Sequence, residues 1–435
     1  MTIGIDLSPL QGPHRLRGIG SVLINFINCL PPEARETNKF IFYTLPESFS
    51  DADPLELLDL TGLTYEIRQF GQQRKLRRRL PGKLNLIISL INQLVRLFDL
   101  RFGDSRIKRA NLQDLDAYFQ VDPLQPLPAG GKKIRRILML HDLIPYILEK
   151  DYLWTYATAR GHGYSRKAAL RVQMHRNLYT LSYRAAIKHA DHMIANSKLT
   201  KNDFVSYLGV KPSRITVTHL GVTMPDNAKT SQPPNHVYRS TSWGYRRETH
   251  HFDTNTPFLL FVGGADRRRK LEDLVTAFNH LRAQGVVLKL VLVGDSMQGP
   301  MNIATVEIQD ALKKSSYLED IIFMGFVNEE QRNWLYKHAL AFVYPSVYEG
   351  FGLPVLEALS YGCPVLCYPN RATKEVAAQA VLYEYGSKGL MNGIKNILNM
   401  SEEERRAMST VGINQASHFE WSATAANILR AIQAA

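Results

Sequence analysis

A chain of 435 residues exceeds one ordinary domain, so two domains sharing a cleft are the starting expectation. Hydrophobic residues at 45% and charged residues at 21% exclude long disorder and fit a soluble globular protein. A formal charge of +13 favours phosphorylated ligands, nucleic acid or anionic lipid without choosing among them.

The three cysteines, Cys29, Cys363 and Cys367, lack the spacing of a disulfide framework or a zinc site, and reduced thiols suit a cytoplasmic chain. The opening MTIGIDLSPL has neither a basic n-region nor a small-residue cleavage site, so no signal peptide is expected. No apolar run reaches the roughly 18 residues of a membrane span. Membrane contact would be peripheral, at the inner face.

Strand-like runs at 3–7, 40–45, 117–121, 134–140, 192–195 and 215–219 alternate with helical stretches, which predicts a parallel, helix-covered sheet for an N-terminal domain over 1–225. After the first strand, Arg17-Gly18-Ile19-Gly20 reads as a glycine loop allowing close backbone approach, weak evidence alone. The stretch 71–110 is rich in bases, with Leu86, Ile87, Leu90, Ile91, Leu94, Leu97 and Phe98 at helical spacing. It predicts an amphipathic helix packed on its own domain or lying in the plane of an anionic membrane. Nucleic-acid binding through Arg77, Arg78 and Arg79 lacks the usual interleaved aromatics.

His141-Asp142 follows the fourth run, at the carboxyl end of a parallel strand where active-site groups gather; a buried structural histidine is the alternative. Asn196 follows the run 192–195 in the same way.

The segment 226–256 loses apolar periodicity and collects Pro, Ser, Thr and Asn, as a linker or surface excursion would. A second alternation, with runs at 258–263, 288–294, 321–325, 341–345, 364–368 and 381–385, predicts another doubly wound domain over 257–415. A C-terminal helix over 416–435 is expected to pack back on the N-terminal domain. After the first of these strands, Arg268, Arg269 and Lys270 are placed to neutralise phosphate oxygens and stabilise a departing diphosphate.

The most informative segment is Tyr344-Pro-Ser-Val-Tyr-Glu-Gly-Phe-Gly-Leu-Pro-Val-Leu-Glu-Ala-Leu-Ser-Tyr-Gly362. A strand ends near Pro345, a loop carries Glu349, Gly350, Phe351 and Gly352, and Leu353-Pro354 opens a helix that Gly362 terminates. Free amides and the positive helix end favour an anion there, and the glycines let it come close. A sugar diphosphate suits that place, with Ser346 and Leu353 flanking it. Glu349 would lie beside the sugar, while Glu357, one turn into the helix, could accept from ribose hydroxyls.

This pair of glutamates around Gly-Phe-Gly-Leu-Pro resembles glycosyltransferase family 4, the retaining enzymes of the GT-B fold. The resemblance implies two facing Rossmann-like domains with a cleft between them, Glu349 on the transferred sugar and Glu357 on the ribose. It further implies Arg268 and Arg269, or Lys270, on the diphosphate and the backbone near Val327 beside the base. It also places Gly18 and Gly20 in the loop between donor phosphates and acceptor, His141 of His-Asp-x-x-Pro on the donor sugar, and Asp142 and Asn196 on the acceptor side.

Retaining transfer needs stabilisation of an oxocarbenium-like sugar and of the leaving diphosphate. The two arginines and the helix N-terminus can supply that charge, so no cofactor and no metal are expected. Similarity to bacterial mannosyltransferases of polysaccharide assembly makes GDP-mannose the first donor and a UDP-hexose the second, with a saccharide or lipid-linked saccharide as acceptor and no nucleic acid. A sugar-nucleotide epimerase, a phosphorylase or a non-catalytic sugar-nucleotide binder would share the architecture.

Overall fold

The computed structural model describes residues 1–12, 15, 18–46, 52–70, 112–128, 134–226, 233–241, 244–249, 255–298 and 305–434. They divide into two compact units, Met1–Gly221 with Trp421–Ala435, and Val222–Glu420. Arg17 and the basic stretch 71–110 lie outside the described residues. No described helix is long and apolar enough to cross a membrane.

The first unit is built on seven strands: β1 Thr2–Asp6, β2 Lys39–Thr44, β3 Thr64–Gln69, β4 Ala117–Gln120, β5 Arg135–Leu140, β6 His192–Ala195 and β7 Ile215–Val217. Their order is β3-β2-β1-β4-β5-β6-β7, and every pairing is parallel. Apolar runs such as Ile137 to Leu140 are fully buried because helices cover both faces of such a sheet. The strand β3 escapes the apolar pattern because it is an edge, where Tyr65 and Ile67 are exposed and charged residues alternate with them.

The helix Trp421–Ala434 belongs to this unit. It sets Trp421, Ala425, Ile428 and Ile432 into the core, against β4 and the helix Gly18–Asn28. Thr424 Oγ1 donates to the His219 carbonyl at 2.9 Å, and Arg135 Nη1 to that of Gln433 at 2.8 Å.

The second unit holds eight strands: β8 His236–Thr241, β9 Gly244–Thr249, β10 Phe258–Val262, β11 Lys289–Val293, β12 Ile321–Gly325, β13 Ala341–Tyr344, β14 Val365–Cys367 and β15 Leu382–Tyr383. The order is β15-β14-β13-β10-β11-β12-β8-β9. Six strands run parallel, while β8 and β9 extend the sheet antiparallel beyond β12. The segment 226–256 is therefore not merely a linker or excursion. Its polar, serine-rich and threonine-rich composition hid a hairpin that a sheet edge can accommodate without apolar alternation.

Candidate functional site

In the second unit the carboxyl ends of the parallel strands carry the predicted donor residues. Beyond β13, the loop to the helix Leu353–Ser360 brings Glu349 back under the strand end, where it is 7% exposed. Beyond β10, a single 3-10 turn, Arg267–Arg269, capped by the Asp266 side chain, delivers two guanidiniums to it. Arg268 Nη2 lies 3.3 Å from Glu349 Oε2 and Arg269 Nε 3.4 Å from Oε1. Tyr344 and Ser346 hydroxyls each donate to Oε1 at 2.8 Å.

The clasp is supported from behind. Val347 N donates to the Arg268 carbonyl at 2.8 Å, tying the two loops. Asn370 Nδ2 donates to the Ser346 carbonyl at 2.8 Å. The Arg269 guanidinium lies over the Tyr344 ring at 5.6 Å. Gly263, with φ +149°, ends β10 where a Cβ would run into that same guanidinium; only glycine leaves Arg269 its seat.

Burial, the largest influence on the Glu349 carboxyl, pushes its pKa up. The charges of Arg268 and Arg269 and the hydroxyls of Tyr344 and Ser346 outweigh it and hold the carboxyl below its ordinary value. Burial also raises the Tyr344 phenol, which keeps its proton as a donor. The result is an anion fixed beside two cations.

Lys270 separates from the arginines. It adopts a left-handed backbone, φ 37°, between the 3-10 turn and the helix Leu271–Ala283, and its Nζ lies 3.5 Å from Glu272 Oε1. Among the three bases, the structure brings Arg268 and Arg269 to Glu349.

Gly350, Phe351 and Gly352 follow in the loop, with Gly352 at φ 107° as the helix N-cap and Pro354 in the first turn. Phe351 is buried, edge-on to Phe419 at 6.0 Å, so it packs the loop down. Leu353 begins the helix. Further along it, Glu357 accepts from the Tyr336 hydroxyl at 3.0 Å and lies 3.9 Å from Arg332 Nη2. The Glu357 carboxylate, the largest influence on Arg332, strengthens its hold on its proton.

Val327 is buried at the end of β12, just before Asn328 caps the helix Glu329–His338 with a capping box. In the sheet, β13, β10, β11 and β12 are successive neighbours. At about 4.8 Å per strand, the Glu349 and Val327 ends are spread over roughly 14 Å. An extended, multi-part ligand could span that edge.

The first unit gathers its own candidates. His141 Nε2 is 2.8 Å from the Val121 carbonyl, so that nitrogen carries a proton. The His141 carbonyl accepts from Asn196 Nδ2 at 2.9 Å and Thr200 Oγ1 at 3.2 Å, which joins the ends of β5 and β6. Asp142 Oδ1 accepts from Ile144 N at 3.0 Å, two residues on, in the turn that leads into the short helix Ile144–Ile147. Gly18 and Gly20 are not in a loop: they form the first turn of the helix Gly18–Asn28, with a 3-10 turn, Ser8–Gln11, between it and β1. A Cβ on Gly18 would meet no atom of the described residues within 4 Å.

Sequence reasoning missed Tyr344, Tyr336, Arg332 and Gly263. Tyr344 heads the very segment that revealed the glutamates, and could have been suspected as a polar residue ending a buried strand. Tyr336 and Arg332 carry no such signal, because only helix packing brings them to Glu357.

Two family models match, "Glycosyltransferase Family 4" over residues 85–224 and "Glycosyl transferases group 1" over 246–415. The chain is 27% identical over 165 residues to the O-antigen chain mannosyltransferase B of Escherichia coli, covering 38% of this chain and 42% of that one. It is 22% identical over 306 residues to the serotype-specific mannosyltransferase WbdA of the same organism, covering 69% and 33%. The matches thus span less than half the length of these curated relatives. Among solved structures, HepE of Anabaena, in complex with UDP-glucose, superposes over 100% of both chains with a TM-score of 0.60 at 15% identity, which is a likeness of fold.

Proposed function

The chain belongs to the family 4 glycosyltransferases of the GT-B fold, and from that premise we propose that it transfers a hexose, with mannose favoured, from a nucleotide-diphosphate sugar to a saccharide or lipid-linked saccharide, retaining the anomeric configuration. The observation that carries the reading is the buried Glu349 carboxylate clasped by Arg268 and Arg269 beside a helix N-terminus. The sugar would sit at Glu349, the diphosphate at the arginines and the loop Gly350 to Leu353, the ribose at Glu357 and the base near Val327. In the first unit, His141 would face the transferred sugar.

In this reaction the bond from C1 to the diphosphate oxygen breaks and the electron pair leaves with the nucleotide. The acceptor hydroxyl attacks C1 from the same face, and its proton passes to the departing diphosphate. Glu349 is assigned an orienting and charge-balancing role, held in place by Tyr344, Ser346, Arg268 and Arg269. Positive charge comes from Arg268, Arg269 and the helix end, so the proposed reaction needs no divalent ion.

Mannose is favoured by the mannosyltransferase relatives; the fold shared with a UDP-glucose-bound protein keeps a UDP-hexose as second choice. Incubation with GDP-mannose and UDP-hexoses, with product mass and anomeric coupling as readouts, tests the reading. Transfer with inversion, strict dependence on added metal, or isomerisation of the sugar nucleotide without any acceptor would overturn it, the last pointing to an epimerase. The basic stretch 71–110 is proposed to bring the chain to anionic lipid at the inner membrane face, and flotation with anionic vesicles tests this separately.

A further inference from the structure

A cavity of about 290 Å³ in the first unit is lined by Asp151, Tyr152, Trp154, Tyr164, Val172 and His175. Two short helices, Ile144–Ile147 and Glu149–Tyr152, follow His141-Asp142 directly, and the second gives Asp151 and Tyr152 to one side. The long helix Arg166–His189 gives Val172 and His175 to the other, and Trp154 and Tyr164 come from the connections between helices. No residue of this lining has a role in the proposed donor chemistry.

The wall is fixed in orientation. Trp154 Nε1 donates to the Lys150 carbonyl at 2.6 Å. Its ring stacks on His162, with centroids 4.4 Å apart and planes at 21°, and meets Tyr164 edge-on at 5.9 Å and 81°. Arg176 fastens the long helix to this corner, with Nη1 2.5 Å from both the Leu153 carbonyl and Glu149 Oε1. The indole therefore spends its polar atom on the scaffold and offers carbon surface to a ligand.

The chemistry of the lining favours one ligand class over another. In a chain of net charge +13, the described residues that line this cavity include no lysine or arginine and carry the Asp151 carboxylate. Arg176, at this corner, is already engaged by the Leu153 carbonyl and Glu149, so the lining itself favours a neutral ligand over a phosphate. A neutral sugar ring pairs its C–H face with aromatic rings and its hydroxyls with the carboxylate, phenol and imidazole groups. The volume lies at the low end of ligand sites, near ~300 Å³, which suits one end of an oligosaccharide.

We propose that this cavity holds a neutral hexose residue of the acceptor, away from the bond being made. The proposal rests on the reading of the chain as a saccharide-modifying transferase. It makes Trp154 and Asp151 acceptor-binding residues, reached from the His141 strand end through the two short helices.

The test uses the full chain with Trp154→Ala, Trp154→Phe and Asp151→Asn, first by saturation-transfer NMR with neutral manno-oligosaccharides and gluco-oligosaccharides and then by steady-state transfer. Binding to wild type should be lost in Trp154→Ala, weakened in Asp151→Asn and largely kept in Trp154→Phe. The acceptor KM should rise roughly tenfold or more in the first two, with donor KM and acceptor-independent donor hydrolysis unchanged. Unchanged donor KM also shows that the variants fold. Absence of neutral-oligosaccharide binding to wild type, or an acceptor KM within about twofold of wild type in both variants, overturns the site. Oligosaccharide binding lost as expected but without transfer from any sugar nucleotide would instead sink the functional reading and leave the site standing.

Discussion

At the scale of single residues, Glu349 decides most of the chemistry. Four side chains, Arg268, Arg269, Tyr344 and Ser346, donate to its two oxygens in a buried setting. Glu349→Gln keeps the shape but removes the carboxylate that both guanidiniums share, although Arg268 keeps its pair with Asp266 at 3.5 Å; losing one member of a buried pair costs about 3 kcal/mol or more. Turnover should fall on the order of 100-fold, the usual scale for a lost electrostatic group. The sign with pH follows from the depressed carboxyl: its stabilisation is complete above the ordinary glutamate value of about 4.3 and is lost as pH falls through the lower folded-state value. Hydrogen exchange of β10 and β13 amides in wild type and variant should therefore show a stability gap that is wide at neutral pH and narrows below about pH 4. A gap independent of pH would contradict an ionised, stabilising Glu349. Tyr344→Phe is milder. It removes one donor from a charged acceptor, and kcat should drop about tenfold, equivalent to ~1.4 kcal/mol, with the unfolding midpoint barely moved.

At the scale of elements, the site is made where strand ends meet loops that only certain backbones can form. Gly263 and Gly294 end β10 and β11 at φ +149° and +147°, and a Cβ on Gly294 would collide with the Gly263 backbone. Gly263→Ala should cost about 1–3 kcal/mol in backbone strain, and it should also push Arg269 off Glu349. Loss of activity disproportionate to the fall in unfolding midpoint would identify the displaced guanidinium; a change in stability alone would assign Gly263 to folding only. The glutamate pair, the arginine turn and the helix start were legible in the sequence because each is a local signal: spacing within one loop, a basic run after a strand, proline in a first turn. Gly18 and Gly20 were misplaced by the same local logic, since glycines do not reveal whether a helix has already begun. β3 and β9 were not legible because edge strands need no apolar alternation, and β8 was hidden in the same polar segment as β9. The Tyr336 and Arg332 contacts to Glu357 depend on how two helices lie together, which no spacing within either one specifies.

At the scale of the molecule, chain order and structural membership part company. The helix Trp421–Ala434 follows the whole second unit in sequence, yet its buried face completes the first. Trp421, Ile428, Leu429 and Ile432 are all buried, and burying side chains of this size is worth about 1.5–3 kcal/mol each. Their sum reaches the ~5–15 kcal/mol that a domain has in total. Ending the chain after Glu420 should therefore unfold or severely loosen the first unit while leaving the second intact, since the second keeps its own sheet and its Glu349 clasp. Limited proteolysis should then leave a resistant fragment covering residues 222–420 and degrade the N-terminal part, whereas the full chain resists in both. Equal resistance of both parts after truncation would show that the helix is dispensable and that the first unit draws its stability from the sheet β1 to β7 alone. Simultaneous loss of both would mean that the second unit also needs this helix, and the division at Glu420 would then mark a change in packing density with no independence behind it.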